Sequence, residues 1–166
     1  MHLVENFALA AGLKISKPYI DPLFFPTPAE KYITLHSSSG MESKNYSHYQ
    51  DVINTILPIL QDAGINIIQI GESHDKHIQG TISLLGKTNL RQTFYVLSKS
   101  ILHLSNDSFS SHVCGYFKVP LVTLFGPSYY NTCEPFWKGE YKFFSPDYSN
   151  TKPSYASDEV IKRVDS

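Results

Sequence analysis

The sequence predicts a doubly wound α/β domain, a mostly parallel sheet of about six strands with helices on both faces. Two observations carry this. Short β-rich runs alternate along the chain with stretches of helical periodicity. Several of those runs are almost continuously apolar, as strands covered on both faces must be, where a one-sided sheet would alternate. The runs fall at 32–36, 65–70, 81–84, 101–105 and 121–125, with a weaker sixth at 141–145.

Helices fill the gaps. Val52, Ile53, Ile56, Leu57 and Leu60 recur at helical spacing, Ser47 stands where a cap would, and Gly64 follows as a stop signal. Pro58 lies inside this pattern and is expected to kink the helix or end it early, because it lacks the N–H that a helix interior uses. A second helix is expected from Thr88, with Leu90, Phe94 and Leu97 on one stripe. A third starts after Asp107 and runs through His112 to about Phe117, and a last one is suggested by Ser157, Asp158, Val160 and Ile161. The first 30 residues differ. A short amphipathic helix over 2–11 precedes a connector containing Pro18, Pro22, Pro26 and Pro28, which reads as a linker. The expected division is therefore helix and linker over 1–30 and the α/β domain over 31–166.

Composition sets limits on function. The chain of 166 residues is 42% hydrophobic and 13% aromatic, enough for one well-packed core and against disorder. Lys and Arg number 14 against 15 Asp and Glu, so no basic excess argues for nucleic acid, and an anionic ligand must be held by local donors. No run approaches the ~18 apolar residues of a membrane span. The opening residues carry Glu5 and Asn6 and no cationic start, so they do not read as a secretory leader. Cys114 and Cys133 sit in no CxxC pair, which gives no zinc pattern and reads as two reduced thiols in a cytoplasmic protein.

In open parallel sheets, ligands bind beyond the carboxyl ends of the strands. Three loops there are built from small or hydrogen-bonding residues: Ser37, Ser38, Ser39 and Gly40, followed by Lys44; Asn106, Asp107 and Ser108, with Ser110, Ser111 and His112 opening a helix; and Gly126, Pro127 and Ser128. Small residues let backbone N–H groups approach an anion, and a helix start adds a favourable dipole, so the three together suit a diphosphate. Each has a plainer reading. A Ser/Gly turn is often only a turn, Asp107 can serve as a helix cap, His112 as a packed histidine and Lys44 as solvated surface.

Other constellations are weaker. Glu72, His74, Asp75 and His77 crowd into six residues, but a loop gives them no fixed geometry and no metal is expected. Asp107, Ser108 and His112 are triad residue types, yet no GxSxG elbow precedes the serine. Neither a GxxxxGK[ST] loop nor a GxGxxG fingerprint is present.

Five segments nevertheless occur in a recognisable order. The first strand leads into residues 37–40 and Lys44-Asn45-Tyr46. Gly64 precedes an apolar run ending in Gly71-Glu72. Then come Leu84-Leu85-Gly86-Lys87-Thr88-Asn89-Leu90, Asp107-Ser108-Phe109-Ser110-Ser111-His112 and Leu124-Phe125-Gly126-Pro127-Ser128. This order resembles glycosyltransferase family 9, the ADP-heptose:lipopolysaccharide heptosyltransferase-like group, over about residues 30–166. Family members carry Lys-Arg-Trp, Leu-x-Gly-Lys-Thr-x-Leu, Asp-Ser/Thr-Gly-x-x-His and Leu-Phe-Gly-Pro-Ser/Thr at these places. Asn45-Tyr46 stands for Arg-Trp, and Phe109 for the signature glycine.

The resemblance implies the carboxyl-terminal, Rossmann-like half of a two-domain GT-B fold, the half that binds a nucleotide sugar. It places the diphosphate near Ser37, Ser38, Ser39, Gly40, Lys44, Asp107, Ser108, Phe109, Ser110, Ser111 and His112, and the nucleoside near Glu72, Gly86, Lys87, Thr88 and Gly126. It implies no metal and no cofactor, the nucleoside diphosphate sugar being a substrate. The acceptor is expected to be a glycan or lipopolysaccharide core, and the location the cytoplasm, peripheral to the inner membrane face. The proposed catalytic base of such enzymes belongs to the acceptor domain, represented here at most by the first helix. No catalytic residue is assigned, and a partner chain is expected to supply that domain. The alternative is a non-catalytic module that binds a nucleotide at most and acts through protein contacts.

Overall fold

The computed structural model describes residues 1–126, 128–137 and 141–144. Six parallel strands, β1 (Tyr32–His36), β2 (Asn66–Gln69), β3 (Ile82–Ser83), β4 (His103–Asn106), β5 (Leu121–Leu124) and β6 (Tyr141–Phe144), form one sheet in the order β3-β2-β1-β4-β5-β6. The expected last helix near residue 157 lies outside the described residues. The strand order reverses between β1 and β4. Chain segments leaving these two neighbours depart in opposite directions, and a crevice opens at their carboxyl ends.

The helices α2 (Tyr49–Asp62), α3 (Leu90–Ser98) and α4 (Phe109–Phe117) cover the two faces. One core joins Ile33, Leu35 and Ile67 to Tyr49 and Ile53 of α2. The other joins Tyr32, Ile68 and Ile70 to Val96 and Leu97 of α3 and to Val113 and Cys114 of α4. All five residues of β1 are buried, which is why that run carries no alternation. Burial also pushes the Cys114 thiol far above its ordinary range, leaving it an inert packing group.

Helix starts depart from expectation. His48, not Ser47, precedes α2 and makes no side-chain cap. Pro58 does not end that helix, which continues to Asp62. The proline and Asn54, the residue whose carbonyl loses its helical donor, are both exposed. Asn89 rather than Thr88 caps α3, accepting from the Gln92 N–H at 2.9 Å while Gln92 accepts from the Asn89 N–H at 3.0 Å. Thr88 instead meets the Thr93 hydroxyl at 2.8 Å.

The amino-terminal segment is anchored to the domain. His2 caps α1 (Leu3–Ala10), its Nδ1 accepting from the Val4 N–H while Nε2 donates to the Glu134 carbonyl at 2.7 Å. Along the Pro-rich connector, Ile20, Phe25 and Ala29 pack on the core, Leu23 N–H donates to the Arg91 carbonyl, and Asp21 pairs with Arg91.

Loop crossings beside the crevice are tight. Gly86 sits at φ +66° and donates its N–H to the Gly71 carbonyl at 2.9 Å. A Cβ there would lie 2.6 Å from Ser73 Cβ and 2.9 Å from Ser73 Cα. Gly86→Ala combines a left-handed backbone with a backbone clash, and is expected to cost about 2 kcal/mol. Urea unfolding checks this, and an unchanged midpoint would mean the two loops are not in contact.

Candidate functional site

A cleft of about 540 Å³ lies over the carboxyl ends of β1, β2 and β4. Its walls come from the loop after β1 (Ser38, Ser39, Gly40, Met41 and Lys44), the loop after β2 (Gly71, Glu72, His74 and Asp75), the start of α3, and the β4–α4 turn (Asp107, Ser108 and Phe109). The volume suits a drug- or nucleotide-sized ligand. A second hollow of about 370 Å³ shares Lys44, Asp107, Ser108 and Phe109 with it, and is completed by His112, Cys133 and α1.

Lys44 and Asp107 meet across the cleft. Lys44 Nζ donates to Asp107 Oδ2 at 2.7 Å, with Asp107 almost wholly buried and Lys44 about one-fifth exposed. The carboxylate is therefore a partner of the lysine and not a helix cap. The helix start is Ser108, and its hydroxyl is turned onto His36 and Ser110, so α4 begins without a side-chain cap. That leaves the positive end of α4 open toward the cleft.

Two asparagines shape the first loop. Asn45 Oδ1 accepts from the Ser39 N–H at 2.7 Å and from its hydroxyl at 3.0 Å. Asn106, fully buried, donates to the Ser37 carbonyl at 2.8 Å and accepts from Tyr49 OH at 3.0 Å. One expectation changes here. The Ser39 amide is already committed to Asn45, whereas the amides of Ser38 and Gly40 meet no partner among the described residues.

The other expected site residues divide. Ser110 and Ser111 face the sheet. Ser110 bonds His103 and His36, and Ser111 bonds Ser105 and Thr123, so both fasten α4 to the strands and do not line the cleft. The Ser37 hydroxyl accepts from Gln69 at 3.1 Å, below the cleft wall. Glu72 and Thr88 line the cleft, but Gly86 and Lys87 do not. Gly86 packs on Ser73, and Lys87 Nζ donates to the Ser83 carbonyl. Gly126 is buried outside the cleft lining. His112 borders the smaller hollow, and burial lowers its pKa from the ordinary histidine value while Asp107 opposes the shift.

Phe109 is exposed on the rim, lines both hollows, and packs edge-on against His36 with ring centroids 5.4 Å apart. It begins α4 after an extended Ser108. Among the described non-glycine residues, only Lys118 has a positive φ. A glycine is therefore not required at position 109 by the backbone, and the phenylalanine changes the cleft wall without straining the turn.

Beneath the cleft runs a buried polar chain that no sequence motif marks. His36 Nδ1 meets Ser108 and Ser110 hydroxyls, each at 3.0 Å; Ser110 meets His103 Nε2 at 2.9 Å; His103 Nδ1 meets Thr34 at 2.9 Å; Thr34 donates to Ser100 at 3.0 Å; and Ser100 donates to the Leu102 carbonyl at 2.6 Å. The β1–β4 register pairs Thr34 with His103, which brings the two strands' polar residues together. Desolvation lowers His36 to about 4, partly opposed by Asp75, and lowers His103 to about 3, with His36 adding to the effect. Both rings are neutral near pH 7. The sequence signal was available: polar side chains at the ends of otherwise apolar, doubly covered strands must find partners.

Glu72, His74, Asp75 and His77, expected in a loop without fixed geometry, are held in place: Asp75 Oδ2 accepts the Glu72 N–H at 2.7 Å, the Asp75 N–H donates to the Glu72 carbonyl at 3.1 Å, and His77 Nε2 meets the Thr81 carbonyl at 3.2 Å. Among the described residues, no three His, Cys, Asp or Glu side chains are grouped to hold a metal ion. No helix among them is long and apolar enough to cross a membrane.

A parallel six-stranded sheet in this order, with its cleft at the strand-order reversal, defines a Rossmann-like α/β domain of the GT-B-like kind. The family model for glycosyltransferase family 9 (heptosyltransferase) matches residues 10–160, and the chain belongs to that family. Comparison with curated protein sequences finds no significant match. Among solved structures it is similar to the Escherichia coli ADP-heptose lipopolysaccharide heptosyltransferase II, with TM-score 0.64 and 16% identity over 97% of this chain and 48% of that one. It is also similar to E. coli heptosyltransferase WaaC with ADP, with TM-score 0.62 and 18% identity over 96% and 53%. A third likeness is the iron-containing dodecameric glycosyltransferase TibC of enterotoxigenic E. coli H10407, with TM-score 0.62 and 19% identity over 84% and 41%. The chain thus spans about half the length of these relatives or less.

Proposed function

We propose that the cleft holds the nucleoside diphosphate sugar of a family 9 glycosyltransferase, this chain supplying the donor-binding half. The observation that supports this reading is the cleft's place, at the carboxyl ends of β1 and β4 where the strand order reverses, with Lys44 on its wall. When the sugar departs, negative charge grows on the diphosphate. Lys44, the Ser38 and Gly40 amides and the open start of α4 are donors suited to stabilise it. Glu72, Asp75 and Asp107 share the cleft with that single lysine. Net charge therefore does not draw the anion in, and positioned donors must hold it.

The acceptor in this reading is a glycan or lipopolysaccharide core, brought by a second domain or partner chain that also carries the base. Reacting geometry contributes about 7–11 kcal/mol of barrier lowering, so the donor half alone binds but does not transfer. The donors named need no metal. A cytoplasmic location, peripheral to the membrane's inner face, fits such an acceptor.

A thermal-shift screen of ADP-, UDP-, GDP- and CDP-linked compounds tests the reading. One of them at 100 times its Kd stabilises the fold by about 2.7 kcal/mol and raises Tm, with EDTA present throughout. No shift at millimolar concentration contradicts donor binding, and a shift abolished by EDTA and restored by Mn²⁺ contradicts its metal independence.

A further inference from the structure

The polar chain beneath the cleft has a direction, and the direction fixes what its last member can recognise. The Leu102 carbonyl only accepts, so Ser100 donates to it, and Thr34 in turn donates to Ser100. The Thr34 oxygen therefore accepts from His103 Nδ1–H. His103 is wholly buried and neutral, which leaves a lone pair on Nε2 to accept the Ser110 hydroxyl proton. With that proton committed, the Ser110 oxygen can only accept, both from the Ser108 hydroxyl at 2.9 Å and from His36 Nδ1 at 3.0 Å; the Nδ1–H tautomer of His36, shared with the Ser108 oxygen at 3.0 Å, is the arrangement that leaves no contact of this cluster without a proton.

Its other nitrogen, Nε2, is then a bare acceptor. His36 is only 7% exposed, and the protein bonds it makes all run through Nδ1. Among the described residues no buried side-chain nitrogen or oxygen lacks a partner, so Nε2 must have access to solvent. His36 lines the cleft, the solvent-filled space this ring borders. A lone pair there repels a phosphate oxygen and attracts a hydroxyl.

We propose that His36 is a specificity-determining residue whose Nε2 accepts a hydrogen bond from a sugar-type hydroxyl of the bound ligand. The inference rests on the nucleotide-sugar reading above and names what that site selects. The hydroxyl comes from the ribose or from the transferred sugar. Both offer the same chemistry, and the test separates them. The Ser110–His103–Thr34–Ser100 chain acts through His36, holding the tautomer that reads the ligand.

His36→Asn keeps an amide N–H near the place of Nδ1 and has nothing at Nε2. Calorimetric titrations of wild type and variant with inorganic pyrophosphate, ADP and ADP-glucose form the experiment. Pyrophosphate is expected to bind both equally, and ADP-glucose to bind the variant about five- to thirtyfold more weakly, the loss of one hydrogen bond. Loss of ADP affinity by the same factor assigns the ribose, and unchanged ADP affinity assigns the sugar. Equal affinity of both proteins for all three probes overturns the proposal, as does equal weakening of all three, which makes His36 structural only. Wild type binding none of the probes overturns the proposal, and the donor reading fails with it only where the four-nucleotide screen is also blank. A ligand-free readout stands apart from that reading. The ¹⁵N shifts of His36 should show Nδ1 protonated and Nε2 bare, and a protonated Nε2 at neutral pH overturns the proposal whatever binds.

Discussion

Lowering the pH from 7.5 to 5 should reduce the unfolding free energy by about 4 kcal/mol, two histidines contributing about 2 kcal/mol each. Unfolded, His36 and His103 titrate near 6.5. Folded, desolvation holds them at about 4 and about 3. Between those values and 6.5 the unfolded chain carries more protons than the folded one, so stability rises with pH in that window. It is fully present above about pH 7 and is lost as pH falls toward 4. Protonating His103 Nε2 would also set two donors against each other at Ser110, breaking the chain that ties β1, β4 and α4 together. Urea unfolding at a series of pH values measures the slope. His103→Gln, which cannot titrate, should remove about half of it while lowering stability at pH 7.5. A flat profile from 7.5 to 5 would mean that the rings are hydrated or charged in the folded protein.

The second large effect is expected at the ion pair. Lys44→Met leaves the Asp107 carboxylate buried with no cation, and should cost about 3 kcal/mol. Asp107→Asn is milder, because Lys44 is partly exposed and its ammonium can turn to water. The double variant Lys44→Met/Asp107→Asn should recover most of the loss of the lysine variant. That recovery separates a stranded charge from lost packing, since packing loss would add in the double variant. An unchanged urea midpoint for Lys44→Met would place the pair among exposed ion pairs of little worth. Lys44 therefore has two uses in this account. It neutralises Asp107 in the folded chain, and it stands ready beside the cleft.

Much of the architecture was legible because it follows from local composition. Apolar runs covered on both faces revealed the strands, and the small-residue loops after β1 and β4 do border the cleft. What was not legible depends on contacts between distant segments. Ser110 and Ser111 look like phosphate-loop residues in sequence, but helical geometry turns both onto the sheet, where His103 and Thr123 await them. Thr34, His36 and His103 look like interruptions in apolar runs until the β1–β4 register pairs Thr34 with His103 and the Ser110 hydroxyl joins His103 to His36. Caps failed for a related reason. Thr88 and Asn89 are both good caps, and the reciprocal Gln92 bond decides between neighbours one residue apart. Asn45 read only as a departure from Arg, although it is the residue that clamps the Ser39 amide.

The central claim is that a nucleoside diphosphate lies between the loop after β1 and the start of α4. Backbone amide NMR of the ¹⁵N-labelled chain, titrated with ADP and ADP-glucose in EDTA, tests it most directly. Saturable shifts are expected to be largest at Ser38, Gly40 and residues 108–110, with Ser39 and Ser111 moving less because Asn45 and the Ser108 carbonyl hold their amides. Shifts centred elsewhere, or none with these or with the UDP-, GDP- and CDP-linked compounds up to millimolar concentration, would contradict it.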